Sequence, residues 1–187
     1  MVEQAELGAC KDLLCPPPRR PSPPGAGVQG GLLAGMVGGA ALLAYVSLAA
    51  AVAGYDPWFS LKVAGAPWIT GRVLLPGFDA LAVALGLASH FATAAGWGML
   101  FGAFFYGATP GGTIALGALW GMLVWLAMFY VVLPLFGVGQ LATLLPAGAA
   151  AFQHLLFGLA VAAAFLPFQR VRRSPRLPAW TRALRIG

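Results

Sequence analysis

The sequence predicts an all-α integral membrane protein, a four-helix bundle flanked by a disordered, Pro-rich N-terminal tail and a basic C-terminal tail. Three observations predict it. Of 187 residues, 60% are hydrophobic and only 9% are charged, against about 25% charged in a soluble domain. The shortfall is concentrated, because residues 80–169 contain no Asp, Glu, Lys or Arg. A compact water-soluble globule needs a largely polar surface, and disordered chains are poor in hydrophobic residues, so both classes are excluded. Finally, the apolar residues fall into runs long enough to cross a bilayer, each bounded by Gly, Pro or charge.

Residues 1–29 read as a tail. Its acidic start, Met1-Val2-Glu3-Gln4-Ala5-Glu6, lacks the basic and apolar regions of a signal peptide. The stretch Pro16–Pro24 favours extended polyproline II, a spacer between the start and the first span. Cys10 and Cys15 are not spaced as a Cys-x-x-Cys redox pair and read as free thiols.

The membrane domain is expected over residues 30–168. The first span reads from Gly30 to Gly54, whose 25 residues rise about 37 Å as a helix, enough for a hydrocarbon core of about 30 Å. A connection follows, residues 55–77, too long for a simple turn and broken by Pro57, Pro67 and Pro76. Its Tyr55, Trp58, Phe59 and Trp68 suit the headgroup region. The second span covers residues 79–106, with Asp79 placed as a helix cap. Thr109-Pro110-Gly111-Gly112 signals a tight turn. The third span runs over 113–135 and the fourth over 147–168, where Pro167 and the following arginines stop it.

Nine of the eleven basic residues lie in the two tails, including Arg170, Arg172, Arg173, Arg176, Arg182 and Arg185. An even number of spans puts both tails on one side, and the positive-inside rule makes that side cytoplasmic. These arginines are read as contacts to anionic lipid headgroups. No nucleic-acid-binding motif accompanies the charge, so a nucleic-acid partner is not expected. Trp180, Ala183 and Leu184 share one helical face, the pattern of a short amphipathic turn on the inner leaflet.

Small residues recur at four-residue spacing: Gly31, Gly35 and Gly39, then Gly98 and Gly102, then Gly117 and Gly121. In lipid, helices associate where small residues let backbones approach, so these positions are expected to pack helices. Faces on three of the four helices also suggest homo- or hetero-oligomers with other membrane subunits.

His90 and His154 fall within the second and fourth spans, about 16 Å and 10 Å from their starts at 1.5 Å per residue. Both helices run the same way, which places both imidazoles in the outer half of the bilayer. One reading is structural, each ring bonding a backbone carbonyl or hydroxyl of another helix. A second makes the two rings ligands of a b-type haem, and a third places them on a proton or solute path. Two imidazoles alone are too few for a single metal ion, and no metal is expected. Trp125 lies mid-span, where its indole N–H needs a partner, and His90 or His154 is the expected acceptor. With no carboxylate pair, phosphate loop or Ser/His/Asp set, no catalysis is expected. The expectation is a non-catalytic scaffold or accessory subunit in a bacterial inner membrane, without a cofactor unless haem occupies the histidines.

Ser89-His90-Phe91, Val132-Leu133-Pro134-Leu135-Phe136-Gly137 and Gln153-His154-Leu155-Leu156-Phe157-Gly158 together resemble a loose group of small four-span bacterial inner-membrane proteins, the YagU-type family nearest among them. The resemblance covers about residues 78–168. It implies the four-span architecture and singles out His90, Pro134, Gly137, His154 and Gly158. The family's acidic residue shortly before the last histidine has no counterpart here, which weakens any proton-handling role carried over from the resemblance.

Overall fold

The computed structural model describes residues 25–169. The Pro-rich tail with Cys10 and Cys15, and the basic tail from Arg170 to Arg185 with Trp180, lie outside the described residues. Four helices are long and apolar enough to cross a membrane, and no strand is present among the described residues. The chain is a multi-pass membrane protein.

The first span is α1 (Ala26–Val52). The helix starts four residues before the expected Gly30 and takes in Ala26–Gln29. Gly25 enters the helix at φ 81°, and Gly27 then packs against the far end of the second span. A Cβ on Gly27 would lie 2.7 Å from the Gly102 carbonyl oxygen, so this extra turn is held by a crossing as close as those further along. The connection folds into two short helices, α2 (Phe59–Ala64) and α3 (Ala66–Ile69), and a 3-10 turn at Thr70–Arg72.

The second span, α4 (Ala80–Phe105), begins at Asp79, whose carboxylate accepts from the Ala82 amide at 3.0 Å, as expected of a cap. Thr109-Pro110-Gly111-Gly112 is not itself the turn. It is the N-cap and first turn of α5 (Pro110–Ala127), with Thr109 Oγ1 accepting from the Gly112 amide and Pro110 in the first turn, where its missing N–H costs nothing. The reversal lies upstream, where Gly107 takes φ 95°. α5 then widens into a π-helical turn at Met128–Val132 and closes with Leu133–Leu135. Gly137, at φ 72°, donates to the Pro134 carbonyl and ends the span. A 3-10 segment (Gly139–Leu144) leads to α6 (Ala147–Phe165), the fourth span, extended by a 3-10 turn at Leu166–Phe168.

The packing order is α4, α1, α6, α5. α1 packs against both α4 and α6, α5 packs on α6, and the backbones of α4 and α5 stay apart despite being consecutive, meeting through large side chains such as Trp120 of α5 against Trp97 and Phe105 of α4. Small residues dictate this. Gly98 sits so close to α1 that an added Cβ would fall 2.7 Å from the Gly35 nitrogen. Gly31 and Gly102 are in the same crossing, and Gly39 faces Ala94 and His90. On the other side, Gly117 and Gly121 meet Gly158, whose added Cβ would lie 2.7 Å from Gly121 Cα. Each predicted small-residue face is therefore consumed inside the bundle.

Towards the end of the bundle that holds Gly25 and Gln169, the terminal end, the interior is apolar and aromatic. Phe101 and Phe165 are fully buried with ring centroids 5.6 Å apart, and Trp120 packs edge-on against Phe105 at 5.7 Å. Gln169 closes this end. Its amide nitrogen donates to the Phe105 carbonyl at 3.0 Å and to Thr113 Oγ1 at 2.7 Å, while its oxygen accepts from the Gly107 amide at 2.7 Å. One side chain thus ties the end of α4, the reversal and the start of α5 to the end of α6.

Candidate functional site

At the opposite end, the loop end, the gap between α4 and α5 opens into a cavity of about 370 Å³. α1 and α6 back it, and the connection and the Gly139–Leu144 segment border its mouth. Its walls are mostly apolar, with Trp97, Phe129 and Phe157 prominent, but Ser89, His90, Thr93, Gln153 and His154 also line it. An apolar concavity with a few converging polar groups is the usual form of a small-molecule site.

The two histidines share this cavity without bonding each other. His90 Nε2 lies 2.9 Å from the Gly39 carbonyl oxygen, on α1. Its ring reaches that carbonyl because Gly39 has no side chain, an added Cβ falling 3.4 Å from Nε2. His154 Nδ1 lies 2.8 Å from the Ala150 carbonyl oxygen, one turn back on its own helix, and its ring stands edge-on to Phe129 at 5.6 Å. His90 thus bonds another helix, as the structural reading expects, whereas His154 bonds only its own.

The expected bond from Trp125 is absent. The indole nitrogens of Trp125 and Trp120 are the buried side-chain polar atoms without a partner among the described residues. His154 turns its Nδ1 to Ala150, and the Trp125 ring is flanked by Phe129 and Tyr130, with centroids at 6.5 Å and 6.3 Å. Trp97 finds a weak acceptor, Met128 Sδ at 3.4 Å, and this contact bridges α4 and α5 at the cavity wall.

A charged clasp holds the connection beside the mouth. Lys62 is fully buried and pairs with Asp56 Oδ2 at 2.7 Å; its ammonium also donates to the Gly77 carbonyl at 2.9 Å and to the Leu75 carbonyl. Asp56 accepts further from the Trp58 and Gly77 amides. Burial works against the Asp56 carboxylate, but the Lys62 bond and these two amides outweigh it and hold the carboxyl below its ordinary value. Asp79 is also held low, first by the Ala82 amide and then by Arg72, whose guanidinium lies 2.7 Å from Oδ2. Trp68 Nε1 donates to Ser89 Oγ at 2.9 Å, fixing α3 onto α4 at the cavity rim.

Sequence reasoning found His90 and His154 but missed the clasp and the Gln169 tie. The signal for the clasp was present: Asp56, Lys62, Arg72 and Asp79 are the only charged residues between Arg20 and Arg170. Charges that scarce beside lipid are expected to pair. Pro134 and Gly137 end α5 and Gly158 packs against it, so three of the five positions singled out by the resemblance serve packing and termination. No protein-family model, curated protein or solved structure matches the chain.

Proposed function

We propose that this chain is a non-catalytic membrane protein that holds a lipid-soluble small molecule in the cavity between α4 and α5, as an accessory subunit of a larger membrane assembly. The cavity carries the reading: packing both helices on α1 and α6 leaves them apart from one another, and hydrogen-bonding groups line the space between. A bundle serving only to fill the membrane gains nothing from exposing histidine and glutamine to an internal hydrocarbon cavity. The reading places the protein in a bacterial inner membrane with both termini cytoplasmic, supported by the basic tails. The cavity then lies in the outer half of the bilayer.

The test is extraction of the protein with its surrounding lipid in polymer discs, followed by mass spectrometry of the organic extract. A compound enriched over the bulk membrane, and lost when Thr93→Phe fills the cavity, is the expected result. An extract indistinguishable from bulk lipid overturns the reading.

One observation favours b-type haem as a second reading. His154 bonds a backbone carbonyl through Nδ1 and leaves Nε2 over, the arrangement of a metal-ligating imidazole. His90 is turned the other way, with Nε2 spent on Gly39, so it would ligate through the nitrogen beside its own Cβ. A dithionite-reduced absorption spectrum decides: a sharp α-band lost in His154→Phe establishes haem. The close-packed apolar cluster of Phe101, Trp120 and Phe165 beneath the cavity counts against a solute path through the bundle.

A further inference from the structure

The hydrogen bonds of the two histidines dictate which ligand chemistry the cavity accepts. A backbone carbonyl oxygen only accepts, so the nitrogens facing Gly39 and Ala150, His90 Nε2 and His154 Nδ1, carry the ring protons. A neutral imidazole has one N–H, which leaves His90 Nδ1 and His154 Nε2 as lone pairs. Both rings line the cavity. Two acceptors in hydrocarbon surroundings are satisfied by a hydrogen-bond donor and are repelled by a ligand carrying only carbonyl oxygens.

The walls add a second requirement. Trp97, Phe129 and Phe157 border the cavity, a lining suited to the faces and edges of an aromatic ring. Trp97 and Met128 bridge α4 and α5 at the cavity wall.

We infer that the cavity binds a lipid-soluble phenol or quinol, its ring among the aromatic side chains and its hydroxyl donating to His154 Nε2. The inference rests on the cavity being a ligand site and goes further by fixing the ligand as a donor. An oxidised, carbonyl-only analogue of the same shape is discriminated against.

The test uses the full chain in lipid nanodiscs, equilibrated with tritiated dodecylphenol or with its methyl ether, which has the same ring and tail but no hydroxyl. Retention is compared with that of empty discs. The phenol is expected to bind saturably, about tenfold tighter than the ether, the scale of one hydrogen bond made inside a membrane. His154→Phe, which keeps a ring but removes the lone pair, is expected to bring the phenol down to the ether. Equal saturable binding of both probes by the unaltered protein overturns the donor requirement and leaves the cavity a ligand site. Binding of neither above empty discs overturns both. The two-probe comparison needs no variant, so a misfolded His154→Phe protein does not block it.

Discussion

Two alanine substitutions two residues apart on α4 test the packing order on which the cavity depends. At Gly98, an added Cβ would lie 2.5 Å from Gly35 Cα and 2.7 Å from Gly35 N, whereas ordinary contact begins at 3.4 Å. α1 and α4 must therefore part by about 1 Å, and overpacking of that kind costs about 1–3 kcal/mol. At Gly96, nothing lies within 4 Å of the added Cβ. There the substitution keeps only its helix-propensity gain, up to about 1 kcal/mol. Both variants carry the same chemical change on the same helix, so propensity cancels in the comparison. Gly98→Ala is expected to be about 1–3 kcal/mol less stable than Gly96→Ala. Reversible unfolding in mixed micelles of rising dodecyl sulfate content, followed by tryptophan fluorescence, measures the difference. Coincident unfolding curves would refute the close crossing of α1 and α4, and with it the separation of α4 from α5.

Other outcomes follow from single side chains. Gln169→Leu takes the acceptor from the Gly107 amide and one of two bonds each from the Phe105 carbonyl, which keeps the Ala108 amide, and from Thr113 Oγ1, which still donates to the Thr109 carbonyl; a loss of about 1–3 kcal/mol is expected in the same assay. Lys62→Met leaves Asp56 without its cation and the Leu75 and Gly77 carbonyls without the ammonium, so hydrogen exchange across residues 55–77 should accelerate while that of α6 stays unchanged. Asp56 has its carboxyl held below the ordinary value of 3.8 in the folded protein. Its contribution is thus complete above that pH and is lost as pH falls through the lower folded value. Protection of the same loop, taken relative to the intrinsic exchange rate at each pH, should be flat from pH 7 to pH 5 and fall only below about pH 4; a fall centred near pH 6 would mean that another group governs the clasp. With Cys10 and Cys15 replaced by serine, a Cys placed at Gly71 should be labelled by membrane-impermeant reagents from the outside of intact cells, and labelling only after lysis would reverse the topology.

Much of the fold was legible because a bilayer constrains sequence more tightly than water does. With no water to satisfy the backbone, spans must be helical, so the apolar run 30–54, the uncharged stretch 80–169 and the Gly and Pro residues around them marked four spans and most of their ends. The four-residue glycine spacing marked the surfaces on which helices meet, because close approach in lipid requires small side chains. Asp79 was identifiable as a cap from its position alone. The start of α1 was misjudged by four residues, because Gly27 packs against Gly102 from a stretch that reads as linker by composition.

Which glycine face meets which was decided only by the tertiary structure, since every face is chemically alike and backbone approach depends on the shapes of both partners. That pairing sets α4 and α5 apart and creates the cavity. The roles of the histidines were undecided for the same reason. Sequence placed both in the membrane, but the nitrogen each ring offers depends on which carbonyl it reaches, Gly39 across a glycine crossing or Ala150 one turn back. The Lys62 clasp likewise joins residues 56, 62, 75 and 77 around one ammonium group, an arrangement fixed by the path of the chain in space and not by its order.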